Sequence, residues 1–258
     1  MSSITAKAGE LRALETLSGK NTAIHRLAPG VKIAATLAFI VVCASFGRYE
    51  FFRLVPYLFF PFIMMALAEL PYRLLLTRTL IALPFCLFAG LANVFYDRAA
   101  AFSVYGIAVS FGTLSLLTIL LKTYLCVMAA LLLAATTPFV EITASLRRAH
   151  LPTAFVMIFE TTYRYTGVLL EEVHSMTTAY RLRSGTKKAL DMRHMGSFLG
   201  QLVLRGFDRA ERVHAAQRCR GYSLRRIPPP RRKLRLSDAA YLAAVCIPAA
   251  LLRFVALY

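Results

Sequence analysis

Apolar and polar residues are segregated along this chain. Uncharged runs extend from about Ile33 to Phe46, Leu54 to Ala68, Thr79 to Tyr96, Phe111 to Pro138 with only Lys122 breaking it, and Ala239 to Leu252. Runs of this length and hydrophobicity read as membrane helices, although several fall short of the roughly 20 residues of an ideal span. Lys32, Arg53 and Arg253 stand at their edges, placed to snorkel to the headgroups and lengthen the effective span. The pattern predicts an all-α integral membrane protein with about five transmembrane helices.

Between the fourth and fifth runs the period changes. Leu151-Pro152-Thr153 reads as a helix start, since proline is tolerated in a first turn, and Gly167 is the one Gly or Pro from there to Arg183. Met195 to Arg220 reads as a second helix, with Met195, Leu199, Leu202, Gly206, Ala210 and Val213 as an apolar stripe opposite Gln201, Arg205, Asp208, Arg209 and Arg212. Asp208 and Arg212 are in the favourable i, i+4 order. Gly185 and Gly221 fall where left-handed caps are expected, and Pro228-Pro229-Pro230 ends any helix before the last span. The predicted organisation is a cytoplasmic N-terminal segment (1–30), a four-span bundle (31–138), a cytoplasmic helical domain (139–238) and a final span (239–258).

Composition supports the bilayer and sets the orientation. The 258 residues are 58% hydrophobic and 17% charged, with mean hydropathy +0.58, far more apolar than an ordinary soluble domain. Of the net charge of +18, the segment from Phe139 to Asp238 holds +11, as 19 Lys/Arg against 8 Asp/Glu. Under the positive-inside tendency this segment, the N-terminus and the Arg73/Arg78 loop face the cytoplasm, and the loops at Arg48-Tyr49-Glu50 and Asp97-Arg98 face outward. The first thirty residues carry Glu10, Arg12, Glu15, Lys20 and Arg26 with no apolar core, so no signal peptide is expected. Five cysteines without a C-x-x-C pair argue against a zinc site or a disulfide framework.

One pattern occurs twice. Ala179-Tyr180-Arg181-Leu182-Arg183-Ser184 and Ala216-Gln217-Arg218-Cys219-Arg220-Gly221 both read A-x-R-x-R followed by a small residue, each at the end of a predicted helix. A cation near a helix C-terminus is favourable by a few tenths to about one kcal/mol, which explains either arginine alone. That term needs no alanine four positions earlier. On a helix Ala179 lies beneath Arg183, and Ala216 beneath Arg220, so each end combines close approach with a rigid guanidinium fork suited to a carboxylate or a helix-end carbonyl. The pair reads as one docking device used twice.

These residues carry a resemblance. Leu204-Arg205-Gly206-Phe207-Asp208-Arg209-Ala210-Glu211-Arg212-Val213, followed by Gln217-Arg218-Cys219-Arg220-Gly221-Tyr222, resembles the second coupling motif of the T component of energy-coupling factor (ECF) transporters. Tyr163-Arg164-Tyr165, Leu169-Leu170-Glu171-Glu172 and Arg181-Leu182-Arg183-Ser184 resemble the approach to the first. His25-Arg26-Leu27-Ala28-Pro29-Gly30-Val31-Lys32 is similar to the H-R-L-D-P-R-x-K lead-in to that family's first span. The chain keeps the arginine and small residue of the usual Ala-Arg-Gly triplets but has Leu182 and Cys219 for the alanine, and Ala28 and Gly30 replace the usual acid and base. The resemblance covers most of the chain and leans toward the cobalt-transport branch, with a vitamin or nickel importer as the runner-up.

It implies a non-catalytic scaffold in the cytoplasmic membrane. Its expected partners are ABC-type ATPase subunits, a multi-span substrate-capture subunit with a small accessory membrane subunit, and the lipid bilayer. The coupling residues would be Ala179, Arg181, Arg183, Ser184, Ala216, Arg218, Arg220 and Gly221. No cofactor is expected in this chain, because it has no G-x-x-x-x-G-K-S/T loop and ATP would be bound by the partners.

Other readings are weaker on the residues. A membrane-embedded enzyme would need ionisable groups at one depth, and only Lys122 lies inside a run, where contact with a carbonyl or a partner subunit is expected. The histidines at 25, 150, 174, 194 and 214 lack metal spacing, so no metal site is expected here. Glu171-Glu172 lack a nucleophile and read as a solvated face. Arg225, Arg226, Arg231, Arg232 and Lys233 read as an anchor to anionic lipid. The basic segment lacks interleaved stacking aromatics, Phe198 and Phe207 fitting the helix interior, so nucleic acid is not an expected partner.

Overall fold

The apolar runs fold as helices because only a helix satisfies its own backbone polar groups in a lipid environment. The computed structural model describes residues 22, 24–96, 100–104, 107–149, 151–185, 191–222 and 236–255. Their helices are α1 (Pro29–Ala44), α2 (Phe51–Leu54), a 3-10 turn (Val55–Leu58), α3 (Phe59–Leu67), α4 (Tyr72–Tyr96), α5 (Phe111–Thr136), α6 (Phe139–Arg148), α7 (Thr153–Ser184), α8 (Met192–Cys219) and α9 (Leu236–Val255). The fold is that of an all-α membrane protein with one addition. Where a plain loop was expected before α5, Ala100–Val104 (β1) and Ile107–Ser110 (β2) pair as an antiparallel hairpin, Val104 opposite Ile107. The sequence pattern places these residues in the loop between the runs ending at Tyr96 and starting at Phe111.

Among the described residues three helices are long and apolar enough to cross a bilayer, within α4, α5 and α9, whereas Pro29–Ala44 and Phe51–Leu67 are shorter apolar stretches. The expected Leu54 to Ala68 span is broken into α2, the 3-10 turn and α3, with Pro56 opening the turn. A proline lacks the N–H that would continue the helical ladder. Helix α5 starts where Ser110 caps it: the Ser110 hydroxyl accepts from the Thr113 N–H at 3.3 Å.

The described residues divide into two units, one of 24–142 with 236–255 and one of 143–222. In the first, charged side chains fasten helix ends to one another. Lys32, in the first turn of α1, is 2% exposed and donates to the Thr136 carbonyl at the end of α5 (3.0 Å) and to the His25 carbonyl (3.3 Å). Lys122 of α5 donates to the carbonyls of Ala44 (2.6 Å) and Phe46 (3.1 Å) at the end of α1. The helices α1 and α5 are therefore antiparallel, and each places an ammonium at the negative end of the other. Lys32 thus does not snorkel. The carbonyl contact expected of Lys122 is the one found.

Helix α9 lies parallel to α1 and is held at both ends. Asp238, 3% exposed, accepts the Ala28 N–H at 2.8 Å, which sets a carboxylate at the positive end of α1. Arg253 donates to the Ser45 carbonyl (3.1 Å) and to Glu50 (3.3 Å), and stacks over Phe46 at 4.5 Å. Between these ties, Tyr57 donates to the Ala249 carbonyl at 2.7 Å. Two apolar clusters fill the interior, one around Leu27, Met65, Met128 and Leu132 and one around Phe39, Cys43, Tyr57 and Leu125. Helices α4 and α5 approach closely at Gly90, where an added Cβ would lie 3.1 Å from the Leu116 Cγ.

Candidate functional site

The second unit is built from α7 and α8, with the end of α6. Pro152 precedes α7 as expected, its carbonyl accepting from the N–H groups of Phe155 and Val156. Arg147 of α6 donates to both carboxylate oxygens of Glu160 on α7 (2.8 and 2.7 Å), and Thr143 adds a bond to the same group at 3.1 Å. The 32 residues of α7 run unbroken through Gly167, and the 28 of α8 run unbroken through Gly196, Gly200 and Gly206. At 1.5 Å per residue these rods are roughly 48 and 42 Å long.

Two polar contacts join them as an antiparallel pair. Tyr180, near the end of α7, meets His194, near the start of α8, with Oη and Nδ1 3.2 Å apart. Further in, Arg205 of α8 is ion-paired with Glu172 of α7. Glu172 is thus a partner across the helix pair and not part of a purely solvated face. The apolar stripe expected on α8 is found in part. Met195, Phe198, Leu202, Gly206 and Val213 are partly buried, but Leu199 is 49% and Phe207 66% exposed, and Ala210 faces outward. The sequence stripe was wide enough to hold either face, and the Glu172–Arg205 pair lies with the narrower one.

The eight residues singled out by the repeat fall on the C-terminal ends of these two helices. Ala179, Arg181, Arg183 and Ser184 occupy the last two turns of α7. Arg183 is exposed and Arg181 partly so. Gly185 follows with φ 63°, its N–H bonded to the Arg181 carbonyl at 3.1 Å, a single-bond left-handed cap. Ala216, Arg218, Arg220 and Gly221 close α8, all exposed. There Gly221 has φ 66°, its N–H bonds the Arg218 carbonyl (2.9 Å) and the Tyr222 N–H bonds the Gln217 carbonyl (3.0 Å), the two-bond Schellman arrangement.

The two copies are therefore out of step with their helix ends. The left-handed glycine follows Arg183 by two residues and Arg220 by one. Arg183 is a helical residue of the last turn, whereas Arg220 is itself the cap residue with φ −84° and ψ 7°. One residue of offset turns a side chain by about 100° around the axis, since a turn takes 3.6 residues. Because His194 lies beside Tyr180, the end of α7 is next to the start of α8. The two arginine ends are consequently separated by most of α8, roughly 39 Å from residue 194 to residue 220. They are two sites on one helix pair, and they are not brought together.

Little of this pair is covered. Val156 is the buried residue of α7 and α8 has none. Leu204, Phe207, Phe155, Ile158 and Leu182 are each 59% exposed or more. Among the described residues no group of three or more His, Cys, Asp or Glu is placed to hold a metal ion. The contacts that sequence reasoning missed, Tyr180–His194, Glu172–Arg205 and Arg147–Glu160, all depend on the register between helices.

Comparison with known proteins points in one direction. The sequence pattern of a family described as CbiQ, cobalt transport protein, matches residues 20–230. Over 91 residues the chain is 34% identical to the cobalt transport protein CbiQ of Rhodobacter capsulatus, which covers 35% of this chain and 37% of that protein. The aligned part thus spans little more than a third of that relative's length.

Proposed function

Because this chain belongs to the CbiQ family of cobalt transport proteins, we propose that it is the membrane-spanning coupling subunit, the T component, of an ECF-type ABC importer for cobalt ions. The observation that carries the reading is the pair of exposed, arginine-tipped helix ends, Arg183 and Arg220, held far apart on an antiparallel helix pair whose own surface is left uncovered. Each tip docks into one of two cytosolic ATPase subunits, its guanidinium meeting a carboxylate there. The uncovered apolar residues of α7 and α8 receive the substrate-capture subunit.

ATP binding draws the two ATPases together, the docked ends move with them, and the helices reorient the capture subunit so that its site opens inward. A ligand shifts a conformational equilibrium only through contacts that differ between the states, so the arginine contacts are stronger in one state than in the other. Cobalt is the cargo and is recognised by another subunit. Helix α1 leads outward from the cytoplasm in this reading. The alternation of α1 and α5, with α9 parallel to α1, accords with five crossings, two of them made by the shorter apolar stretches.

The test is radioactive cobalt uptake together with recovery of the ATPases on the tagged chain. Arg183→Ala or Arg220→Ala alone lowers uptake more than assembly, because one dock remains. The double variant loses both. Uptake at the unsubstituted level in the double variant would sink the coupling role.

A further inference from the structure

The end of α7 is not an isolated arginine. Arg183 lies on the rim of a cleft of about 470 Å3 whose second wall is α8. Ser175, Tyr180 and Arg183 line it from one helix, and His194, Gln201 and Arg205 from the other, with no carboxylate among its lining residues. The next cleft along the same pair, about 250 Å3, sets Glu172 and Asp208 among Arg205, Arg209 and Arg212, so its charges are largely met from within. The first cleft offers two guanidinium groups, hydroxyls, an amide and an imidazole to something that brings the opposite charge. A guanidinium beside hydroxyl donors is the donor set that recognises a carboxylate.

Resting on the docking role proposed above, we infer that this cleft is a composite socket in which an Asp or Glu side chain of the ATPase partner is held by Arg183 from α7 and Arg205 from α8. Charge complementarity selects an acidic occupant. The volume selects a stretch of polypeptide over a lone ion, since the cleft is far larger than one carboxylate. The socket is also continuous with the helix end that docks. Arg205 is half exposed, its side chain at 49%, so its ion pair with Glu172 leaves donors for a second acceptor. The end of α8 closes differently, since Arg220 is followed directly by its Schellman turn. The two docks therefore differ in their caps, with His194 and Gln201 as contact residues of the first.

The experiment uses the full chain in lipid nanodiscs, titrated with the ATPase pair that co-purifies with it. Arg205→Gln is compared with Glu172→Gln, which breaks the same helix-to-helix pair but leaves the Arg205 charge in place. The socket predicts that Arg205→Gln weakens ATPase binding about tenfold, in line with loss of one charged hydrogen bond, while Glu172→Gln changes it less than about twofold. A photo-reactive benzoylphenylalanine at position 201 should cross-link to an ATPase subunit. Equal weakening by the two variants, with no cross-link from 201, makes Arg205 a strut between helices and overturns the socket while Arg183→Ala still weakens docking. Loss of pyrophosphate binding in Arg205→Gln, with ATPase binding unchanged and no cross-link from 201, identifies a small-anion site and also overturns it. If the double variant Arg183→Ala with Arg220→Ala leaves ATPase binding intact, the docking role itself fails.

Discussion

The two units of this protein solve opposite problems with similar residues. In residues 24–142 with 236–255, three charged groups face helix ends: Lys32 and Lys122 the negative ends of α5 and α1, and Asp238 the positive end of α1. That unit uses these charges internally and leaves apolar side chains such as Ile81, Phe85 and Phe88 uncovered on α4, where lipid is expected. In residues 143–222, arginines of the same kind sit at the C-terminal ends of their own helices and point outward, and apolar side chains as large as Phe207 and Phe155 stay uncovered. The contrast teaches that charge and hydrophobicity do not by themselves mark a binding surface. What marks it is whether the chain's own packing has already used them.

The comparison breaks most directly at Asp238. Asp238→Ala leaves the Ala28 N–H without its acceptor in a buried site, which costs about 1–3 kcal/mol. With Cys43, which is fully buried and free, as the sole cysteine, thiol labelling by local opening should speed up by roughly ten- to a hundredfold. Labelling at the unsubstituted rate would show that α9 is not held by this tie. Gly221→Ala tests the other unit. A Cβ in the left-handed region costs about 1–2 kcal/mol, so the Tyr222 amide should lose its exchange protection while Cys43 labelling stays as it was.

A smaller effect is expected on acidification. The Gly47 N–H, with Arg253 and Arg53, holds the Glu50 carboxyl below its ordinary value against the opposing effect of burial. A depressed folded value means that the stabilisation is present at neutral pH and fades as pH falls below about 4.5, the unfolded value, through the folded one. Glu50→Gln should remove that acid-side loss from the thermal unfolding profile, and an unchanged profile would show that Glu50 holds nothing. The least effect on stability belongs to Phe207→Ser, within about 0.5 kcal/mol because the side chain is 66% exposed. Recovery of the capture subunit should nonetheless fall. A large loss of stability with full recovery would reverse the roles assigned to the two units.

Much of the helical plan was legible because helix termination is local. Gly185 and Gly221 announce left-handed caps within a few residues of the ends they close, and Pro152 announces the start of α7. Long apolar runs likewise gave α4, α5 and α9 directly. The hairpin at 100–110 was not legible, since its residues are as apolar as the spans around it. Lys32 was misplaced as a snorkelling residue because no window along the chain contains Thr136, its acceptor, 104 residues away.

By itself the sequence determined which segments are apolar enough to be helices in a membrane, where the two charged helices end, and that each ends in A-x-R-x-R. Those are sums over neighbouring residues, and neighbours are fixed by the chain. Only the tertiary structure decided which charges are spent inside and which remain, that Arg205 turns toward Glu172 and the cleft beside Arg183, and that the two arginine ends differ by one residue in their caps. Such outcomes depend on register between helices, where a shift of one residue turns a side chain by about 100° and exchanges one partner for another.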